Sequence, residues 1–416
     1  MNMTRVILHA DCNAFYASVE CLFHPELADK PVAVCGDPEA RHGIILTKNQ
    51  IAKGFGVQTG EAIWQARQKC PGLVTLKADH RKYHEYSQKT RAIYDQYTPY
   101  VQPFGLDEAW LDLTERGMTL EMGARIADGL RERVKSELGI TISVGVADNK
   151  VFAKLGSDMK KPDATTLITP KNFREKVWPL PAGDLLFVGP ATRKKLFRLN
   201  IMTIGDLAQT EPEVLRAVLG VNGAALHRYA NGLDDSPVSL SGEADEIKSI
   251  GNSTTTPHDL MDENDVKITF YMLCESVAAR LREHRFSARV VQMYVRDCEL
   301  NSYGRQRVLR HETNLSGEIA RECMALFRES YHWQRPIRSI GVSCSQLVPD
   351  SAPKQLCIFE DDERRRRRAD MERTVDDLRG RFGYFCLQRG CMLEDRTILE
   401  INPKDEQRYQ PFAFKM

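Results

Sequence analysis

A mostly apolar run, Val6-Ile7-Leu8-His9-Ala10, stops at Asp11, which predicts a strand over residues 4 to 10. An aromatic-rich stretch follows at once. Its pattern predicts a helix over 14 to about 23 with Asn13 as N-cap. Residues 31 to 75 read as short mixed elements: a strand "PVAVCG", a helix from Asn49 to Gly54 and another from Glu61 to Lys69. Residues 80 to 97 read as a helix. "YVQPFG" and "AWLDLT" alternate like hairpin strands around Leu106-Asp107-Glu108. A helix over 119 to 137, a strand "TISVGVA" and a helix from Lys150 complete a strand–helix–strand–strand–helix–strand order, the split βαβ or ferredoxin-like pattern.

Beyond residue 166 the pattern changes to short helices separated by Gly and Pro, up to about 236. "SPVSLSGEADE" (236–246) is polar and reads as a linker. Residues 247 to 349 return to strand–helix alternation, with "RVVQMYVRD" and "IRSIGVSCSQL" as strands around the amphipathic helix "GEIARECMALFRESY". In the tail, Met371, Val375, Leu378 and Phe382 fall at helical spacing.

The 416 residues exceed one ordinary core and imply three or four domains. Hydrophobic content of 42% and charged content of 28% fit a soluble globular chain, and no apolar run reaches the length of a membrane span. The eleven cysteines are odd in number and form no C-x-x-C pair, so a reducing cytosol is expected rather than a disulfide framework or a structural zinc. Net charge is only +1, but Arg280 to Arg310 holds eight arginines against three acids. The whole-chain sum hides that local excess.

The chemistry concentrates at the first strand and the hairpin. Asp11 ends one predicted strand, and Asp107 and Glu108 lie at a predicted turn. In a split βαβ sheet the first strand can lie beside such a hairpin, which would gather the three acids on one edge. Mg²⁺, with Mn²⁺ able to replace it, binds one or two carboxylates and lets substrate phosphates complete its shell. Two such ions can activate a 3′-hydroxyl and stabilise departing pyrophosphate. The helix start after Asp11 offers the amides of Asn13 to Tyr16 to a triphosphate. Singly, each feature has a plainer reading: a solvated turn, a capping Asp, and Phe15 and Tyr16 as a core-facing pair.

"HADCNAFYASVE", "FGLDEAWLDLT" and "TISVGVADNKVFAKLGSDMKKPD" together closely resemble the Y-family translesion DNA polymerases, and "LGVNGAALHRYANGLDDSPV" and "KSIG" continue the match. The resemblance runs in order from about residue 4 to 349. It implies an α+β right-hand polymerase: a ferredoxin-like palm (1–18 and 79–165), small fingers (19–78), a helical thumb (166–236), a linker (237–246), an α/β little finger (247–349) and a tail (350–416). The implied reaction is low-fidelity, template-directed nucleotidyl transfer from a dNTP to a primer end, and no proofreading nuclease pattern is visible. By motif position Asp11, Asp107 and Glu108 would be catalytic metal ligands, joined by the Cys12 carbonyl. Tyr16 would be the steric gate against a ribose 2′-hydroxyl, with Phe15 beside it in the substrate site.

Thr47, Gln50, Lys53 and Lys161 occupy positions that in the family contact the triphosphate. Many relatives carry Tyr and Arg where this chain has Gln50 and Lys53, and lysine lacks the bidentate fork. The catalytic turn reads Gly105-Leu106-Asp107-Glu108 where the family usually has Ser-Ile-Asp-Glu, which implies a looser turn. "LLFVGPATRKKLFRLNIMTIGDLA" (185–208) resembles a helix-hairpin-helix that holds a DNA phosphate, with Gly189 and Thr192 as contacts and Phe187 replacing the usual first glycine. In the little finger, Arg289, Arg305, Arg307 and Arg310 are the candidate DNA-backbone contacts. "QLCIF" is similar to the clamp-binding peptide of bacterial polymerases, with Gln355, Leu356, Ile358 and Phe359 as anchors. The expected partners are primer–template DNA, a dNTP and the sliding clamp, for a cytoplasmic, nucleoid-associated monomer with no membrane. Two other classes remain at this stage: a catalytically silent DNA- or clamp-binding scaffold, and a nucleotidyl cyclase on the same palm topology.

Overall fold

In the computed structural model, which describes residues 4–37, 43–243, 246–352 and 362–403, strand β1 (Ile7–Cys12) is buried along its whole length. Both faces of its sheet must therefore be covered. Helix α1 (Phe15–Phe23) follows, then the fingers: β2 (Val32–Cys35), β3 (Ile45–Lys48), α2 (Gln50–Gly54), α3 (Ile63–Lys69) and β4 (Val74–Lys77). The chain re-enters the palm through α4 (His80–Tyr94), β5 (Val101–Pro103), β6 (Glu108–Asp112), α5 (Leu120–Leu138), β7 (Ile142–Ala147), α6 (Lys150–Met159) and β8 (Thr165–Leu167).

The palm sheet has the order β5-β6-β1-β7-β8, with β1 antiparallel to both neighbours. Leu8, Ala10 and Cys12 point into one core with residues of α4 and α5, while Ile7 joins the other core with Val151, Phe152 and Leu155 of α6. The fingers form a separate three-stranded sheet, β3-β2-β4, over a small core that includes Ile45, Ala52 and Ala66.

One expectation fails at the helix start. Asn13 does not cap α1; the cap position is Ala14, in the left-handed conformation at φ 48° with no side-chain cap bond. Asn13 instead turns to the sheet, donating its backbone N–H to the Thr141 carbonyl at 2.9 Å and accepting from Ser143 Oγ at 2.9 Å. Its backbone N–H is thus occupied, which leaves the amides of Ala14 to Ala17 without an intrahelical partner.

The thumb is helical: α7 (Phe173–Lys176), α8 (Pro190–Arg198), α9 (Ile204–Gln209), α10 (Pro212–Leu219) and α11 (Val221–Ala230). The described residues fall into two compact units, one holding those up to Cys35 with Ile44–Glu243, and the other those after Glu243 together with Gly36, Asp37 and Gly43. Among the described residues no helix is long and apolar enough to cross a membrane.

The second unit contains β9 (Ser249–Leu260), α12 (Glu263–Glu283), β10 (Phe286–Asp297), β11 (Ser302–Thr313), α13 (Ser316–Ser330) and β12 (Ile337–Pro349), with sheet order β11-β10-β12-β9. Its core lies between one sheet face and α12 and α13. The tail adds α14 (Asp362–Phe382) and α15 (Arg396–Leu399), and Met392 and Ile398 join that core. Helix α14 is held by charge. Buried Glu372 accepts from the Ser316 N–H at the start of α13, and Arg282 of α12 bonds both Glu372 and Asp376. Arg379 and Arg389 close on Glu275. Paired in this way, charges that could not be buried alone become tolerable.

Candidate active site

Asp11 sits directly opposite Glu108 in the β1–β6 pair and opposite Ser143 in β7. Side chains alternate along a strand, so Ile7, His9 and Asp11 share the face that α6 covers. The turn before β6 is tied to β1 by the Cys12 N–H, which donates to the Asp107 carbonyl at 2.9 Å. Gly105 takes φ +105°, a conformation that L side chains rarely adopt, and Arg91 donates to its carbonyl at 2.7 Å. Glycine at 105 therefore gives a pinned turn rather than the looser one expected.

Helix α6 comes unusually close to β7. A Cβ on Gly145 would lie 1.9 Å from the Ala153 carbonyl, so only glycine fits there. The close approach brings the charged face of α6 onto the carboxylates. Lys154 Nζ lies 2.7 Å from Glu108 Oε2 and 3.9 Å from Asp11 Oδ2. Lys161 Nζ lies 2.7 Å from Asp11 Oδ2 and 2.9 Å from Asp158 Oδ1.

Burial and the neighbouring Glu108 charge push the Asp11 carboxyl up to about 6, against the pull of Lys161 and Lys154. Burial, Asp11 and Glu108 push Asp107 up to about 7. Burial works against the Lys161 ammonium, but Asp11 and Asp158 outweigh it and raise its pKa above the usual lysine value. Such acids release protons when a cation arrives. Among the described residues no group of three or more His, Cys, Asp or Glu side chains is disposed to hold a metal ion unaided. Mg²⁺ seldom asks for such a cage, since phosphates and water supply the remaining oxygens. The all-oxygen donor set, already neutralised by ammonium groups, fits a hard divalent ion completed by substrate.

Next to the acids, Tyr16 is half-buried and Phe15 buried. The Tyr16 ring stacks on Tyr83 with centroids 4.1 Å apart and planes 10° apart. Tyr83 is itself fixed, its hydroxyl donating to buried Glu20 at 2.8 Å. In the fingers, half-buried Thr47 ends close to α2, and Gln50 and Lys53 are exposed on the first turns of that helix.

Comparison with known proteins decides the family. The chain matches the impB/mucB/samB family over residues 10–158 and that family's C-terminal domain over 247–357. It is 50% identical over 399 residues to DNA polymerase IV of Acetivibrio thermocellus, covering 96% of this chain and 100% of that one. It is 34% identical to DNA polymerase IV 1 of Bacillus subtilis, covering 94% of each. A solved Y-family DNA polymerase chimera shares the fold with a TM-score of 0.73 at 21% identity, over 83% of this chain and 99% of the other. The chain belongs to the Y-family of translesion DNA polymerases. The palm, fingers, thumb and little finger of that family are the layout described above.

In a Y-family thumb the hairpin before α8 is of interest. Phe187 adopts φ +71°, the left-handed region where glycine is the ordinary choice, and its ring rests 6.0 Å from Tyr229. Gly189 caps α8 and Thr192 lies in its first turn. In the little finger the four arginines are not one row. Arg305 and Arg307 pair with Met293 and Val291, whose side chains face the helices, whereas exposed Arg310 is on the other face of β11. Arg307 is engaged by Glu322 and Glu329 of α13, and Arg289 stands 3.9 Å from Glu312. The clamp-like peptide, Gln355 to Phe359, lies outside the described residues.

His9, Lys154, Ser157, Asp158, Tyr83 and Glu20 are parts of the site that sequence reasoning missed. The signal for His9 was its position two residues before Asp11. For the helix it was the four-residue spacing of Lys154 and Asp158, which places them on one face.

Proposed function

We propose that this polymerase extends a primer by two-metal-ion nucleotidyl transfer, with Asp11, Asp107, Glu108 and the Cys12 carbonyl holding two Mg²⁺ ions. The observation that carries the reading is Asp11 facing Glu108 across adjacent strands with two ammonium groups resting on them. Bound Mg²⁺ would lower the cost of deprotonating the 3′-hydroxyl and of releasing pyrophosphate. Lys161, displaced from Asp11 by the ion, would be free to meet the triphosphate, alongside Thr47, Gln50, Lys53 and the first-turn amides of α1. Tyr16, held flat by Tyr83, would exclude a ribose 2′-hydroxyl. Gly189 and Thr192 in the thumb, and Arg289, Arg305 and Arg310 in the little finger, are proposed to meet DNA phosphates. Arg307, the fourth candidate, is committed to two glutamates and is left out of that set. Residues 355–359 are proposed to bind the sliding clamp.

Primer extension with Mg²⁺ tests the reading. Wild type is expected to add templated nucleotides and to stop in EDTA, and Glu108→Gln is expected to bind primer–template normally while losing extension. An intact protein that binds DNA but adds nothing would instead be a silent scaffold. Deleting 355–359 is expected to spare extension of short primers and to abolish stimulation by the clamp. Equal stimulation would refute the peptide assignment.

A further inference from the structure

Glu20 is a buried carboxylate on α1, one turn beyond Tyr16. Residues four apart share a helix face, and helical side chains lean toward the N-terminus, so Glu20 leans back toward Tyr16. Burying a carboxylate is unfavourable unless donors meet it. Here one oxygen accepts from the Tyr83 hydroxyl at 2.8 Å and the other from Lys82 Nζ at 3.1 Å. The same hydroxyl accepts from the Asp79 N–H at 3.2 Å. A phenol has one hydrogen to give, and this one is given to Glu20. The fully buried Tyr83 ring is thus held at its tip by two partners. Tyr16 lies on that ring with centroids 4.1 Å apart and planes 10° apart, and His80 meets the two rings edge-on at 5.8 and 5.7 Å. Aromatic pairs left to themselves settle offset or edge-to-face, with centroids about 4.5–7 Å apart. A near-parallel pair as close as this takes its place from something besides its own attraction.

We propose that Glu20 sets the position of the sugar gate. Through the Tyr83 hydroxyl it fixes the platform on which the Tyr16 ring rests, and so how far that ring projects toward the 2′ position of an incoming nucleotide. This rests on the reading of Tyr16 as the gate. A hydrogen bond to a carboxylate is among the stronger ones in a protein. Breaking it inside the core would leave an oxygen without its donor, so the Tyr83 ring cannot slide or tilt cheaply. Small slides matter, because a misplacement of about 1 Å can change a rate about a hundredfold. Lys82 balances the charge, and its ammonium also lies 4.7 Å from the Phe23 ring at the end of α1. Glu20 is a positioning residue, spent on Tyr83 and Lys82 rather than on substrate or on the acids of the catalytic turn.

Single-nucleotide insertion by the full chain, with matched dNTP and rNTP on one primer–template in Mg²⁺, tests it. The quantity read is the ratio of kcat/KM for the two sugars. Glu20→Ala is expected to lower that ratio about five- to tenfold, through faster rNTP insertion. Tyr83→Phe, which keeps the ring and removes only the hydroxyl, should lower it similarly. Combining the two should add little, since both cut the same bond. Glu20→Gln keeps an oxygen for the Tyr83 hydroxyl and should stay within about twofold of wild type. A merely structural loss would slow both sugars together and leave the ratio where it was, and that result overturns the proposal. So does a double variant whose effect is the product of the single ones, or a Glu20→Gln ratio as low as that of Glu20→Ala. If Tyr16→Ala also leaves sugar discrimination unchanged, the gate reading itself fails. If Tyr16→Ala relaxes it while Glu20→Ala and Tyr83→Phe do not, this inference fails alone.

Discussion

Replacing Asp107 by Asn should destroy extension yet make the metal-free protein more stable. Asp107 is pushed from the ordinary 3.8 up to about 7 by burial and by two neighbouring carboxylates. That is a rise of about 3 units, each worth about 1.4 kcal/mol, or roughly 4 kcal/mol of unfavourable charging above neutral pH. The side chain is only partly buried, so water screens some of this, and about 2 kcal/mol is the reasonable expectation. For a unit of this size that corresponds to a melting shift of about 4–8 °C. The sign follows from linkage. A carboxyl with a raised folded pKa contributes stability that is complete below its ordinary value and is lost as pH climbs through about 7. In EDTA, wild type should therefore melt lower at about pH 8 than at about pH 5.5, and Asp107→Asn should show a shallower dependence. Some slope should remain, because Asp11 is also raised, to about 6. Scanning calorimetry at both pH values, with EDTA or with Mg²⁺, measures this. A variant that melts at or below wild type near pH 8, or keeps the wild-type pH slope, would refute the reasoning.

Other substitutions probe the geometry. Gly145→Ala drives a Cβ to 1.9 Å from the Ala153 carbonyl and 2.5 Å from the Ser157 N–H, and should cost about 3 kcal/mol or more, seen as lost soluble protein or a collapsed melting temperature. Gly105→Ala forces a side chain into φ +105°, at about 1–3 kcal/mol, and should lower kcat by disturbing the turn that carries Asp107; an unchanged rate argues that the turn tolerates strain. Tyr16→Ala should admit ribonucleotides while largely sparing dNTP addition, and Tyr83→Ala should relax sugar discrimination by about tenfold or less, since a stacked aromatic pair contributes about 0.5–1.5 kcal/mol. Single-nucleotide insertion of matched dNTP and rNTP pairs decides both, and unchanged discrimination in Tyr83→Ala means the stack does not position the gate.

The parts of this molecule that sequence patterns expose are those written in neighbouring residues. Strand β1, the hairpin acids and α5 follow from local patterns, although Thr119, read as the first residue of that helix, is its cap instead. What was hidden depends on distant partners. His9 looks like an ordinary polar interruption of a strand until Ser157, 148 residues later, closes on it. Asn13 looks like a cap until Thr141 and Ser143 take its groups. Arg307 looks like a phosphate contact until α13 supplies two glutamates. Helix α14 is the extreme case, because its inward residues are charged and no hydropathy pattern marks them as buried.

That helix also fixes where the second unit can be cut. Ending a truncated protein at the last strand, near Pro349, would strip Arg282 and Glu275 of their counter-charges and uncover the part of the core that Met392 and Ile398 seal. Apolar surface returned to water costs about 25 cal/mol per Å². A fragment trimmed to the obvious strand boundary should therefore misbehave for reasons unrelated to DNA, whereas one carried through residue 403 keeps its electrostatic clasp shut.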